Sequence, residues 1–381
     1  MENRTRIGFY YVWGKSWLGG LLYAWNLLKA LNTLDDKDKP FIDVYCRNEK
    51  SFDELIMKSN YPYLNMVIIN DNSLLQKVYR NIIEFLFGIN AKVCVNRFDI
   101  RQDNVMVFPY GFGKETNKLV FWKPDFQEKY LTENFSKKEI KKRDSLIRSI
   151  AGRNVPIVFS SFDSESDFKK FYPEFNNKTF VVHFAVAHED FSSIIIEDVK
   201  MKYGIKGDYI LCANQFWKHK NHLFLFKAIK IAIKRGLNMQ LVCTGRMSDY
   251  RNPTYIKELE SFLVDNELDS EIILTGMIEN DELYCLMKNA YAVIQPSLFE
   301  GWNTTVEDCK ALNQFIYLSD IPVHREQAQV NVSFFDPHDE NDLVEKLLTV
   351  KPTKDPFDYS NNLREFGMNF LQVINYMKSK N

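Results

Sequence analysis

Two clusters in this chain carry side chains that could do chemistry. The stretch 297-SLFEGWNTTVEDCKALNQ-314 sets Glu300 before a Gly and a polar turn, then adds the adjacent acids Glu307 and Asp308. The stretch 213-ANQFWKHKNH-222 contributes Lys218 and Lys220. Carboxylates accept hydroxyl hydrogen bonds strongly because the acceptor is charged. An ammonium group meets phosphate as a compact point charge. These residue types suit a ligand that has both phosphate and sugar or ribose hydroxyls. A plainer role also fits: Glu307 and Asp308 would complement a helix dipole in its first turn, and Lys218 would sit on a solvated basic loop.

The elements that must hold these clusters are clearest in the second half. The runs 209-YILCAN-214, 239-MQLVCTG-245, 271-EIILTG-276, 291-YAVIQPS-297 and 314-QFIYLSD-320 are apolar, as strands buried on both faces are. Helical patterns at 222–235, 254–266 and 281–289 lie between them as crossovers, which predicts a doubly wound parallel sheet. In the first half, 6-RIGFYYV-12, a helix over 21–31, and strand-like runs at 41–46, 66–70, 105–110, 118–122, 156–161 and 179–186 predict a second α/β sheet. A polar segment over 187–208 reads as the linker. The expected domains are 1–195 and 196–365, with a C-terminal helix over 366–381 returning towards the first domain. Ligands of such sheets bind beyond the carboxyl ends of the strands, where Glu300 and Lys220 fall, so two domains of this kind would face one central cleft. Asn303 or Thr304 would cap the following helix, whose free N–H groups favour an anion.

Composition narrows the function classes. The 381 residues are 45% hydrophobic and 26% charged with a net charge of -1, so no bulk field draws the chain to nucleic acid or acidic membranes. The start is polar and then strand-like, with no signal-peptide core, and no run of about 18 uncharged apolar residues occurs, which points to a cytoplasmic protein. The six cysteines lack clustered spacing and read as buried thiols. The only literal DxD, Asp36 and Asp38, lies in a polar run read as a surface loop, so neither an essential metal nor another cofactor is expected. The six histidines are scattered and read as ordinary hydrogen-bonded or exposed residues.

Taken together, the acidic and basic clusters make the chain resemble the GT-B glycosyltransferases of family 4, retaining enzymes that use nucleoside-diphosphate sugars. The resemblance spans nearly the whole chain. It implies a GT-B architecture of two Rossmann-like domains and a donor site closed by two acids, the first on the sugar and the second on the ribose. By register these are Glu300 and Asp308, with Glu307 as the alternative to Asp308. Gly301, Trp302, Asn303 and Thr304 complete that loop. The family's diphosphate-binding Arg and Lys fall on Gln215 and Lys220, so Lys218 or Arg246 would supply the missing charge. Backbone near Met277 and Ile278 would hold the base, and 319-SDIPVHREQ-327 matches the segment after the paired acids. Gly19 and Gly20 occupy the glycine-rich turn before the first helix, where a donor phosphate would approach backbone N–H groups.

The stretch 121-FWKPDFQEKYL-131 resembles a signature of a subgroup that builds bacterial surface polysaccharides, with Glu128 where histidine is usual. Asp125, Gln127 and Glu128 are therefore candidates on the acceptor or sugar side. The run 156-PIVFSSFDSESDFKKFYP-173 resembles the same subgroup, with Ser161 placed to cap a helix. The implied activity is retaining transfer of a sugar from a UDP- or GDP-linked donor to a glycan or lipid-linked glycan. Two alternatives stand beside it: a GT-B sugar-nucleotide epimerase and a non-catalytic nucleotide-sugar-binding scaffold. Lys137, Lys138, Lys141, Lys142 and Arg143, with an amphipathic stretch over 74–88, fit peripheral contact with the inner face of a membrane as well as a solvated helix.

Overall fold

The computed structural model describes residues 4–12, 18–69, 99–110 and 116–380. The 74–88 stretch and Cys94 lie outside them. The chain forms two compact units, residues 1–187 with 360–381, and residues 188–359.

The first unit contains β1 (Arg6–Tyr10), α1 (Leu18–Asn32), β2 (Phe41–Cys46), α2 (Glu49–Ser59), β3 (Leu64–Ile68), β4 (Val107–Phe108), β5 (Phe121–Lys123), α3 (Gln127–Tyr130), α4 (Lys137–Ala151), β6 (Ile157–Phe159), α5 (Phe162–Phe171) and β7 (Thr179–Val181). Its strands form a parallel sheet in the order β3-β2-β1-β4 and another in the order β5-β6-β7. Single bridges, Val107 to Leu119 and Tyr110 to Val120, join the two. In α1, the Leu- and Ala-rich sequence buries Leu21, Ala24, Leu27, Leu28 and Leu31 at helical spacing.

The second unit contains α6 (Ile196–Tyr203), β8 (Tyr209–Ala213), α7 (His222–Lys234), β9 (Gln240–Thr244), α8 (Tyr255–Asp265), β10 (Ile272–Gly276), α9 (Asn280–Asn289), β11 (Ala292–Gln295), α10 (Thr304–Ala311), β12 (Ile316–Ser319), α11 (Pro322–Gln327), β13 (Val332–Phe335) and α12 (Glu340–Thr349). The six parallel strands lie in the order β10-β9-β8-β11-β12-β13, the doubly wound Rossmann order. Ile210, Cys212, Leu241 and Cys243 pack on one face with Leu225 and Ile229 of α7. Leu211, Val242, Val293 and Ile316 pack on the other with Val306 of α10. Each fully buried Leu, Ile or Val contributes about 1.5–3 kcal/mol, which is why strands covered on both sides read as unbroken apolar runs. The sequence reading missed β13. It is an edge strand whose first three residues are only half-buried, so its run is shorter and less apolar than the others.

The observed division falls at 187/188 and 359/360, compared with the 195/196 and 365/366 boundaries read from the sequence. The cause is local. Val182, Ala185 and Val186 are buried, and Ala187 is gripped by α1 through Asn26 Oδ1 at 3.0 Å and Lys29 Nζ at 3.0 Å. At the other crossing, the last helix, α13 (Ser360–Lys380), is fixed to the first unit from its first turns, where Arg364 donates to the Thr33 carbonyl at 2.6 Å. Gly367 lets this helix lie against α1, since a Cβ there would stand 2.5 Å from the Ala30 carbonyl oxygen.

The five described cysteines are free and buried, with Cys212 opposite Cys243 in the β8/β9 register. Among the described residues, no helix is long and apolar enough to cross a membrane.

Candidate functional site

In the second sheet β8 and β11 are neighbours, but the chain then winds outward from them in opposite directions. The loops at their carboxyl ends therefore diverge, leaving room between them. Four contacts set the two strand ends. Asn214 and Gln295, both buried, exchange two side-chain amide hydrogen bonds. Thr305 Oγ1, in the first turn of α10, donates to Ala213 O at 2.9 Å. Leu298 N donates to His219 O at 2.9 Å and ties the two loops directly.

On this frame Lys220 Nζ meets Glu300 Oε1 at 2.5 Å, with side chains 16% and 10% exposed. Asn303 Nδ2 donates to the same oxygen at 3.0 Å, while Asn303 Oδ1 accepts from Val306 N at 3.3 Å as the N-cap of α10. One residue thus starts the helix and orients the acid. Two ammonium protons and Glu300 Oε2 make no hydrogen bond among the described residues. The pair can present cationic donors and an anionic acceptor to one ligand.

The adjacent acids of α10 differ from each other. Asp308 Oδ1 meets His188 Nε2 at 2.8 Å, and the His188 ring lies 4.1 Å from that of Tyr284. Burial raises the Asp308 pKa, with His188 opposing the shift and Glu307 adding to it. Glu307, the alternative to Asp308, carries a buried carboxylate that accepts from Gln327 Nε2 at 2.9 Å, Lys310 Nζ at 2.9 Å and Tyr359 OH at 2.6 Å, three bonds made inside the protein.

The basic loop is held from below. Asp249 Oδ2 accepts from Lys218 N at 3.0 Å, and Phe216 N donates to Arg246 O at 3.1 Å. Gly245 makes this possible, with φ of 141° and Asn214 O only 2.0 Å from where a Cβ would sit. Gln215 is half-buried, and the side chains of Lys218 and Arg246 are exposed. Met277 is exposed in the turn after β10, and Ile278 packs into the core beside it. Gly301, Trp302 and Thr304 are half-buried around the buried Asn303.

His324 was not among the candidates from sequence. It is fully buried, with Nδ1 2.9 Å from Ser319 O and 3.1 Å from Ser319 Oγ. Burial holds its pKa down at about 4, Glu300 opposing the shift and Lys220 reinforcing it. Burial likewise keeps His219 well below the ordinary histidine range, helped by Lys220 and Arg251. The one available signal was a histidine five residues past Ser319, at the end of an apolar strand.

The remaining candidates belong to the first unit. Gly19 and Gly20 lie within the first turn of α1, not in a turn before it. Their N–H groups are still among those a helix start leaves unpaired. Asp125 Oδ1 accepts from Gln127 N at 3.0 Å, closing its own turn. Glu128, the candidate on the acceptor or sugar side, is completely buried, with Oε1 2.9 Å from Lys123 Nζ and with Oε2 3.6 Å from Arg143 but itself without a hydrogen bond among the described residues. A carboxylate so enclosed must be paired within the protein. Ser161 caps α5 by accepting from Ser164 N at 3.1 Å, and Ser160 Oγ accepts from Trp122 Nε1 at 3.0 Å. Among the described residues, no three His, Cys, Asp or Glu side chains are grouped to hold a metal ion.

Comparison with known proteins bears on the same region. Residues 207–351 match the family described as Glycosyl transferases group 1. A curated relative, the O-antigen chain mannosyltransferase RfbU of Salmonella typhimurium, is 25% identical over 217 residues, 57% of each chain, so the chain spans little more than half of that protein. Among solved structures, Anabaena Alr3699/HepE in complex with UDP and glucose aligns with a TM-score of 0.61 at 12% identity, covering 99% of this chain and 97% of that one. WaaG, a glycosyltransferase involved in lipopolysaccharide biosynthesis, aligns at 0.55 and 13% identity, covering 97% and 95%. The molecule therefore has the GT-B fold of two Rossmann-like units, and its second unit carries the match to the group 1 glycosyl transferase domain.

Proposed function

We propose that this chain is a retaining glycosyltransferase of the family 4 type. It would move a sugar from a UDP- or GDP-linked donor to a glycan or lipid-linked glycan acceptor in surface-polysaccharide synthesis. The observation that carries the reading is the Lys220–Glu300 pair at the switch point between β8 and β11. The names of the relatives support it, since one is an O-antigen mannosyltransferase and one was solved with UDP and glucose.

In this reading Lys220 turns to the diphosphate, assisted by Lys218, Arg246, Gln215 and the helix starts at His222 and Thr304. Glu300 orients the sugar and Asp308 the ribose. As the bond from the anomeric carbon to the phosphate oxygen breaks, the electron pair leaves with the nucleoside diphosphate. Preorganised cationic donors stabilise that growing charge more than they stabilise the bound donor. The acceptor oxygen bonds to the same face of the anomeric carbon, and its proton passes to the departing phosphate oxygen. The chemistry calls on no protein nucleophile and no essential metal. With a lipid-linked acceptor, the exposed Lys137, Lys138 and Lys141 of α4 would favour an anionic membrane surface.

The test is a calorimetric and product screen of UDP-glucose, UDP-galactose, UDP-N-acetylglucosamine and GDP-mannose with glycan acceptors. Binding of one nucleotide class and an NMR product with the donor's anomeric configuration are expected. An epimerised donor formed without acceptor, or tight binding with no turnover, would replace this reading with an epimerase or a scaffold.

A further inference from the structure

At the carboxyl edge of the second sheet, the buried polar atoms without a hydrogen-bond partner among the described residues include His324 Nε2, Ser297 Oγ and His219 Nδ1, with both ring nitrogens of His222 stacked on Phe216. Unmatched buried polar atoms are uncommon in folded proteins and call for an explanation. Two of them lie on the loops of the Lys220–Glu300 pair, His219 just before Lys220 and Ser297 at the opening of the loop holding Glu300. His324 follows the neighbouring strand β12, and its partner Ser319 is tied to that same loop by the Oγ bond to Ser297 O.

The bonds of His324 fix what it offers. The Ser319 carbonyl, 2.9 Å from Nδ1, can only accept, so Nδ1 carries the ring proton. Ser319 Oγ gives its own proton to Ser297 O at 2.6 Å and stands 3.1 Å from Nδ1 as a second acceptor. Nε2 is left with a lone pair alone, and the depressed pKa keeps it so at neutral pH. Its partner must be a donor. Ionised diphosphate oxygens only accept, so within a bound sugar nucleotide the partner is a hydroxyl or an N–H, and the proposed sugar-orienting role of Glu300 favours a hydroxyl of the sugar.

We infer that His324 Nε2 accepts a hydrogen bond from a hydroxyl of the transferred sugar, that Ser297 Oγ serves the same ligand, and that the two help set which sugars the donor site takes. The inference rests on the glycosyl-transfer reading above and adds to it a contact on the helix start after β12.

The test compares binding of UDP with UDP-glucose, and GDP with GDP-mannose, by calorimetry. His324→Asn retains an amide donor for the Ser319 carbonyl and removes the acceptor at Nε2. It should weaken the sugar nucleotide about tenfold and leave the bare nucleoside diphosphate within about twofold, the size of one net hydrogen bond. His324→Gln, which returns a carbonyl oxygen near the Nε2 position, should recover part of the loss. If His324→Asn does not fold by circular dichroism, Ser297→Ala is read in the same way. Equal weakening of nucleotide and sugar nucleotide, which would indicate a ribose contact or a structural role, overturns the inference, as does no change. If the wild-type chain binds neither nucleotide class, the glycosyl-transfer reading itself fails and this inference with it.

Discussion

Among the described residues, the shielded Lys–Glu pairs Lys123–Glu128 and Lys220–Glu300 are built in opposite ways. Lys123 and Glu128 lie five residues apart, and one turn of chain brings them to 2.9 Å. Glu128 is fully enclosed, Arg143 stands 3.6 Å away, and the Lys123 ammonium lies 4.5 Å over the Phe126 ring. Lys220 and Glu300 lie 80 residues apart and meet only because β8 and β11 are neighbours. Both keep some exposure, and both have hydrogen-bonding capacity uncommitted within the described residues. The same two residue types therefore serve different ends. A pair closed inside a unit holds it together, while one left open at a sheet's carboxyl edge can exchange its partner for a ligand. Glu307 with Lys310 is a third case, closed like the first yet in the helix that follows the loop of the open acid.

The closed pair should show the largest effect, and on stability alone. Lys123→Met leaves Glu128 buried opposite only the more distant Arg143, and breaking one side of a buried pair costs about 3–5 kcal/mol. Thermal unfolding should fall accordingly, and the double change Lys123→Met with Glu128→Leu should regain most of it. Transfer per folded molecule should be unaltered below the melting range. A Lys123→Met protein that melts normally but has lost turnover would put this segment in the site and break the comparison.

The open pair should show the reverse. Lys220→Ala and Glu300→Ala are each expected to lower kcat by about 10²–10³. Melting should shift less than in Lys123→Met, because both side chains of the open pair reach solvent, which can take up the charge left without its partner. Under the proposed function the two residues act on one bound donor, and the double variant is then expected to be little worse than either single one. Steady-state transfer beside differential scanning fluorimetry separates the two quantities. Normal turnover in Lys220→Ala would remove the pair from the chemistry.

Which of these distinctions could be read from sequence follows from how local each one is. The strands of the second sheet were legible because burial on both faces leaves unbroken apolar runs, and Lys220 and Glu300 because they fall just past two of them. The edge strand β13 gave a weaker signal for want of full burial. Glu307 and Asp308 could not be separated, since consecutive helix residues face different neighbours and only the tertiary fold supplies Gln327, Lys310 and Tyr359 to one and His188 to the other. The enclosure of Glu128 could not be read, because burial leaves no mark on a polar letter. His324 stayed hidden because its meaning depends on a backbone carbonyl that fixes its tautomer.

The smallest expected effect tests how sharp the boundary is between closed and open acids. Tyr359→Phe removes the 2.6 Å bond to Glu307 Oε2, and a hydrogen bond to a charged group is worth about 1.5–3 kcal/mol. Glu307 keeps Lys310 and Gln327, so the cost should lie near the lower end of that range. Yet Glu307 is linked to the open acid: Gln327 also bonds the Asn303 main chain at 2.8 and 3.1 Å, and the Asn303 side chain bonds Glu300. If the closed acid is scaffolding only, the donor KM of Tyr359→Phe stays within about twofold of wild type while its melting temperature falls. A tenfold rise in KM would mean that the bonds of the closed acid hold the open one in place, and that the two kinds of pair are parts of one network.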